Sequence, residues 1–453
     1  MDGRLRFPLE VIAEMRKMAG EDFPIIVRMS ACEEEPGGLS VMESLYMAQQ
    51  FEVAGVGMIH LSNGSMDNPW HVTSPMDLPE GAFADHAERL KRVVRIPVGV
   101  VGKQKEPWIG EMTVSLGKAD VVYMGRALLC DPQLPQKAME GNSELIRPCI
   151  SCNTCINSVK ANKVVTCRMN PRAGRETERD PVAAGGKSVL VIGGGPAGLS
   201  AAAETARLGH RVVLIEKRDI LGGQMYLAGF PPCKKDIPRA TKYLIDEAVR
   251  SGVEIRTQCE ANAELVVEMQ PDLVVLATGG AAVVPGFLKG CDRVVTAWDA
   301  LEGKVLTGNE IAVIGGGIVG CETADFLAHP HHDLTVGAKK VTIFEKQNNL
   351  METEKSSGRS TLIMRLLEKN CKIITGAEIT EVAEGTIRFR RNGEECTLSG
   401  FDTVVSAVGT RSHCELKEQL EQHGCPVIVV GDALSPGNIG DAVRTGFEAA
   451  RSL

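Results

Sequence analysis

Through residues 1–140, short apolar runs alternate with stretches whose apolar positions recur every three or four residues. The three-to-four spacing predicts helices over 9–18, 41–54, 83–93 and 135–140, and the short apolar runs predict strands over 23–29, 57–61, 96–101 and 119–124. Strands that are apolar almost throughout, set between helices, indicate a parallel sheet covered on both faces. There are four of them, where a closed (β/α)8 barrel has eight, so the pattern gives an open sheet or half a barrel. Residues 141–187 lose the periodicity, turning polar, cysteine-bearing and loop-rich before a charged, glycine-rich linker. From Ser188 a strand–turn–helix pattern begins, a second of the same kind begins at Glu310, and the chain closes with short strands near 403–408 and 427–430 and a helix from Ile439. The expected domains are therefore 1–140, 141–187, 188–305, 306–400 and 401–453.

The bulk composition fits this reading. A chain of 453 residues with 43% apolar and 24% charged residues is an ordinary globular protein of several domains. A net charge of -8 speaks against nucleic-acid or anionic-membrane partners, which select basic patches. No apolar run approaches the ~20 residues needed to span a bilayer, and the N-terminal residues lack a signal-peptide core. Fourteen cysteines, clustered in one place and scattered elsewhere, favour reduced thiols and metal ligation in a low-oxygen cytoplasm over a disulfide framework.

Three motifs carry chemistry. The first is Gly193, Gly195 and Gly198, a G-x-G-x-x-G turn between an apolar strand and an Ala-rich helix. Its glycines allow the tight turn, the close approach of a pyrophosphate and the packing of helix on strand, and the helix N-terminus faces the phosphate charge. Glu216 ends the next strand and is placed to accept from an adenosine ribose. The second loop repeats the pattern with Gly315, Gly317 and Gly320, and Glu345 ends its next strand. A carboxylate there suits a free 2′-hydroxyl and repels a 2′-phosphate, favouring NADH over NADPH, although Lys346 is its neighbour. Thr278-Gly279 and Gly431-Asp432 follow apolar strands, and with Gly223 and Gln224 they complete the expected flavin contacts. The third motif is C-x2-C-x2-C-x11-C, formed by Cys149, Cys152, Cys155 and Cys167. Three cysteines within seven residues plus one remote fits iron–sulfur ligation better than paired C-x2-C zinc sites, with structural zinc and metal-free thiols as the alternatives. The tract His329-Pro-His-His-Asp reads as a solvated loop rather than a metal site.

In the first domain His71, after Trp70, follows a strand end and could donate a proton, or could be a surface-loop histidine. Arg28 ends an apolar strand, where it could stabilise a reduced flavin or pair with a carboxylate. Gly102-Lys103 and Gly125-Arg126 put glycines and cations at successive strand ends, the position of phosphate sites in barrels.

The order of these features, from Arg4-Leu-Arg-Phe-Pro-Leu-Glu to Gly431-Asp432, resembles the large NADH:flavin oxidoreductases of the old yellow enzyme class. That class includes 2,4-dienoyl-CoA reductase, 2-enoate reductase, the bile-acid-inducible oxidoreductases and trimethylamine dehydrogenase. The resemblance implies an α/β chain: the C-terminal half of a (β/α)8 TIM barrel, an iron–sulfur segment, and two Rossmann-type domains related to glutathione reductase. It implies a 4Fe-4S cluster on Cys149, Cys152, Cys155 and Cys167, FAD and NAD(H), with NADP(H) less favoured, on the glycine loops. It implies FMN against Arg28, Gly102, Lys103, Gly125 and Arg126, and an active-site histidine at His71. The implied substrate is an unsaturated acid or acyl-CoA. About four strands of the family's barrel have no counterpart before Arg4, leaving the FMN site half present. On that reading a longer gene product, a partner chain or a second copy completes the barrel. In the dienoyl reductases the absent strands also carry a tyrosine proton donor, and none of Tyr46, Tyr123, Tyr226 and Tyr243 occupies a matching place.

Overall fold

Four parallel strands form the centre of the first of two units in a computed structural model, which describes residues 2–181, 186–289, 291–329 and 339–453. The units are Met1–Ala161 and Asn162–Leu453, so the division falls inside the cysteine-bearing stretch.

In the first unit β1 (Ile26–Ser30), β2 (Met58–Ser62), β3 (Val98–Val101) and β4 (Val121–Tyr123) lie in sequence order, the arrangement of consecutive strands in a barrel wall. Arg28 is opposite His60, His60 opposite Gly99, and Gly99 opposite Val121. Because side chains alternate along a strand, this register sorts the sheet into two faces. Met29, Ile59, Leu61, Val98 and Val100 form one core with Leu5, Ile12, Phe51, Ala87 and Leu90 of the covering helices. Arg28, Ser30, His60, Ser62 and Tyr123 lie on the other face with Ile26, Met58, Val101 and Val121, so the face toward the helices is apolar and the other carries the sheet's polar groups. Gly99 makes room there: a Cβ would lie 2.4 Å from the Tyr123 ring, which stacks on His60 at 3.8 Å between centroids.

The helix expected over 9–18 runs from Asp2 to Ala19, with Pro8 inside it. That over 41–54 is Val41–Val53, opened by a reciprocal capping box between Ser40 and Glu43. Four short helices had no counterpart in the periodicity: Pro69–Val72, Pro107–Ser115, Arg126–Cys130 and Thr154–Lys160.

The second unit holds two five-stranded parallel sheets, each with its glycine loop at the end of a central strand. The first orders Val427–Val429, Leu273–Leu276, Ser188–Ile192, Arg211–Ile215 and Glu254–Arg256. The second orders Val294–Thr296, Thr403–Ser406, Glu310–Ile314, Lys340–Phe344 and Lys372–Ile374. Two expected boundaries move accordingly. Val294–Thr296 lies before 306 and Thr403–Ser406 after 400, yet both pair within the second sheet, because the chain crosses between sheets by way of these strands. An antiparallel sheet (Glu378–Ala383, Thr386–Arg391, Glu394–Ser399) packs Val382, Ile387 and Phe389 against Phe344 and Val404. Among the described residues no helix is long and apolar enough to cross a membrane.

Candidate functional site

The two glycine loops are built alike. At Gly198 a Cβ would fall 1.9 Å from the Gly193 carbonyl oxygen, and at Gly320 it would fall 1.9 Å from that of Gly315. Each glycine is therefore required for its helix, Pro196–Arg207 or Ile318–Leu327, to sit on its turn. Gly195 and Gly317 occupy the N-cap positions, so the first backbone N–H groups of each helix are available to a pyrophosphate.

Both strand-end acids also brace these turns, which the sequence had not revealed. Glu216 accepts from the Gly194 N–H at 2.7 Å and the Arg218 N–H at 2.9 Å. Glu345 accepts from Gly316 at 2.6 Å and Gln347 at 2.7 Å. Each carboxylate is thus oriented before any ribose arrives. Lys346, the neighbour that blurred the expected cofactor preference, points to Glu378 at 2.8 Å.

The remaining flavin-type residues converge from distant parts of the chain. Gln224 donates to Asp432 at 2.9 Å across 208 positions, and Asp432 also accepts from Gly437 at 3.0 Å. Gly223 packs on Gly195, and Gly431, at φ 62, packs on Ala197. Thr278 donates its hydroxyl to the His413 carbonyl, beside Gly279 at φ 74. All of them surround the first loop. The histidine tract lies outside the described residues from 330 to 338; only His329 precedes it.

In the first unit the strand ends gather a second set of polar groups. His71 sits in the Pro69–Val72 turn with Nε2 3.1 Å from Glu34 Oε2, a distance at which the ring N–H donates to the carboxylate. Asn63 donates to the other Glu34 oxygen at 3.3 Å while its own carbonyl accepts from the Cys32 N–H at 3.0 Å. Phe83 stands beside both His71 and His86. On the sheet itself Arg28 reaches Ser62 at 3.5 Å. Burial, with the Arg28 cation adding to it, pushes His60 down to about 4, so this ring is neutral at physiological pH. Glu34 and His60 were not among the expected site residues. A histidine at an alternate position of an apolar strand was the one available signal for His60.

Lys103 differs from its expected exposure to a phosphate. It is 3% exposed, and its ammonium donates to the Met76 and Leu78 carbonyls. Gly102, at φ 134, holds the turn before it against Phe83. Gly125 is open, a Cβ there meeting nothing within 4 Å. Arg126 donates to the Ser74 carbonyl at 2.7 Å and to Asn153.

Cys149, Cys152 and Cys155 belong to the first unit and Cys167 to the second, and none of the fourteen cysteines forms a disulfide. The backbone curls between the first three: Ser151 at φ 51 and Asn153 at φ 60 both adopt the left-handed region. Buried polar atoms without a hydrogen-bond partner flank the thiols, namely Ser151 Oγ and Arg168 Nε. Among the described residues no three His, Cys, Asp or Glu side chains converge as ligands of a single metal ion. Reduced thiols are the donor type that an iron–sulfur cluster takes, one thiolate per iron.

Two families of known proteins match successive parts of the chain. Residues 1–144 match the NADH:flavin oxidoreductase / NADH oxidase family, and residues 187–435 match the pyridine nucleotide-disulphide oxidoreductase family. The chain is 39% identical over 461 residues to an NADH oxidase of Thermoanaerobacter brockii, covering 99% of this chain and 69% of that protein.

This chain belongs to the NADH:flavin oxidoreductase / NADH oxidase family.

As a member it is an oxidoreductase with a flavin-type first unit and a pyridine-nucleotide second unit. It is also 31% identical to a cinnamate reductase of Clostridium sporogenes, over all of this chain and 70% of the relative. Among solved structures, a 2-naphthoyl-CoA reductase superposes with a TM-score of 0.92 at 27% identity, over 99% of this chain and 68% of that one. The half-barrel and Rossmann-type architecture expected from the sequence is the one found.

Proposed function

We propose that this oxidoreductase passes electrons from NAD(P)H, with NADH preferred, to an activated C=C bond of an enoate or enoyl-CoA. Its carriers are FAD on the first glycine loop, a 4Fe-4S cluster on Cys149, Cys152, Cys155 and Cys167, and FMN against Arg28, Gly102, Gly125 and Arg126. When bound, the flavins supply hydride chemistry and the cluster one-electron transfer. The observation that carries the reading is the His71–Glu34 pair at a strand end of the flavin-type sheet, in a chain that also bears two dinucleotide loops.

In this reading the protein's own groups have separate tasks. His71 delivers a proton to the carbon that becomes negative, with Glu34 holding its ring by Nε2. Arg28 offers positive charge to the polar face of the sheet, and neutral His60 beside it adds none. Glu216 and Glu345 hold the two riboses. Lys103 sets the turn that carries Gly102 by donating to the Met76 and Leu78 carbonyls. The names of the cinnamate and 2-naphthoyl-CoA reductases support the substrate class. A cytoplasmic location fits the absence of disulfides.

The test is anaerobic reconstitution followed by NADH oxidation with a panel of enoates and enoyl-CoAs. Acceleration by an unsaturated acceptor supports the proposal; bound flavin and iron with no such acceleration removes it. A second reading, an NADH-dependent electron-transfer subunit that needs a partner chain or second copy, is favoured by the outer strands of the first sheet. Ile26 on β1 is 54% exposed and Val121 on β4 is 40% exposed, each at an edge with one neighbour among the described residues. Dye reduction by NADH without bound FMN distinguishes it.

A further inference from the structure

Asn153 lies between the second and third clustered cysteines, is 2% exposed, and begins the helix Thr154–Lys160. An asparagine at that position ordinarily caps the helix by accepting from an N–H of its first turn. Here it does not: its backbone is left-handed and its side chain makes no cap hydrogen bond. Both ends of the amide instead reach out of the loop. Oδ1 accepts from Arg126 at the end of β4, and Nδ2 donates to the Thr73 carbonyl at 2.8 Å, two residues past His71. Arg126 closes the triangle by donating to the Ser74 carbonyl at 2.7 Å. Lys105, from the segment after β3, holds the Cys149 carbonyl at 3.2 Å. The cap has been given up by a side chain that is buried and spends both ends of its amide on other loops, which points to a function for the outward contacts.

We propose that Asn153 is a positioning residue that clasps the His71 segment and the Arg126 strand end to the cysteine loop. The order of the proton-donor segment then depends on the order of the cysteine loop. The inference rests on the roles of His71 and the cysteines given above, but the clasp is a protein contact that is measurable whether or not those roles hold.

Hydrogen–deuterium exchange on the anaerobically purified full chain tests it. In Asn153→Gly the left-handed backbone is kept without strain and both contacts are lost. Amides of 69–75 then exchange roughly tenfold faster, the factor that corresponds to one hydrogen bond, together with those of 147–155. In Asn153→Asp the acceptor for Arg126 remains and the donor to Thr73 is gone, so 69–75 loosens while 147–155 stays near wild type. Faster exchange confined to 147–155 in the glycine variant, or wild-type exchange at 69–75 in both variants, overturns the clasp. If the glycine variant does not fold, the aspartate variant alone decides: unchanged exchange at 69–75 refutes it. Iron and flavin content of the wild type reports separately on the cofactor assignment.

Discussion

Gly320→Ala separates the two nucleotide sites. The added Cβ falls 1.9 Å from the Gly315 carbonyl oxygen, whereas ordinary contact begins near 3.4 Å. Neither partner yields easily: the oxygen belongs to the turn that leaves the strand Glu310–Ile314, and Gly320 is in the first turn of a helix whose Cys321, Ala324 and Leu327 are buried. Turn and helix must therefore part by roughly 1.5 Å, a core strain of about 1–3 kcal/mol. The displaced part is the helix N-terminus that faces the cofactor's pyrophosphate. If the strain is relieved on losing that fit, NADH binding weakens by roughly 5- to 150-fold.

The assay is NADH-dependent dye reduction with the NADH KM as readout, alongside FAD content and a thermal unfolding curve. The expected result is a KM raised at least about fivefold with FAD still stoichiometric. Gly198→Ala, with the same 1.9 Å approach to Gly193, gives the opposite outcome: FAD is lost first. An alanine at 320 that leaves the NADH KM within twofold of wild type refutes the assignment of this loop.

Three further outcomes follow from the geometry. NADH is preferred to NADPH by at least about tenfold in kcat/KM, because Glu345 repels a 2′-phosphate, and Glu345→Gln narrows the ratio; equal use of both by the wild type contradicts this. His71→Asn lowers ene reduction by roughly 10²–10⁴-fold and leaves NADH–dye reduction intact, which stopped-flow mixing with each acceptor separates. Asp180 has Arg172, Arg207 and Arg451 within 2.9 Å, and hydrogen bonds from Arg172 and then Arg451 hold its carboxyl well below the usual range. A depressed native value stabilises the fold above the ordinary carboxylate pKa and loses that effect as the pH falls, so Asp180→Asn lowers Tm at pH 7 by about 2–4 °C and progressively less below pH ~4. An undiminished difference at pH 3 counts against it.

What the sequence made legible, and what it hid, divides by the kind of atom involved. The four strands of the first sheet and the two glycine loops could be read because they depend on side-chain identity: apolar runs for strands covered on both faces, and glycines where a Cβ cannot fit. The antiparallel strands, which follow both glycine loops, carry a signal of the same kind, since Thr386-Ile-Arg-Phe alternates. Pro69–Val72 and Arg126–Cys130 were too short to show a period.

The functional groups without a sequence signature are those whose partners are backbone atoms or lie on another strand. Lys103, a cation at a strand end, looks in sequence like a phosphate ligand, and only the fold reveals that the Met76 and Leu78 carbonyls have taken it. Arg126 presents the same cue and is divided between a carbonyl and an asparagine. Carbonyl oxygens have no residue signature, so a cation's role at such a strand end is set by which loop carbonyls the fold delivers to it. Glu34 and His71, 37 positions apart, meet only because β1 and β2 are neighbours in register and their following loops rise together. Thr73, beyond β2, and Arg126, beyond β4, meet at Asn153 although β3 separates their strands, and it follows that the chemistry of this sheet is organised by its loops' backbone as much as by the side chains a motif can name.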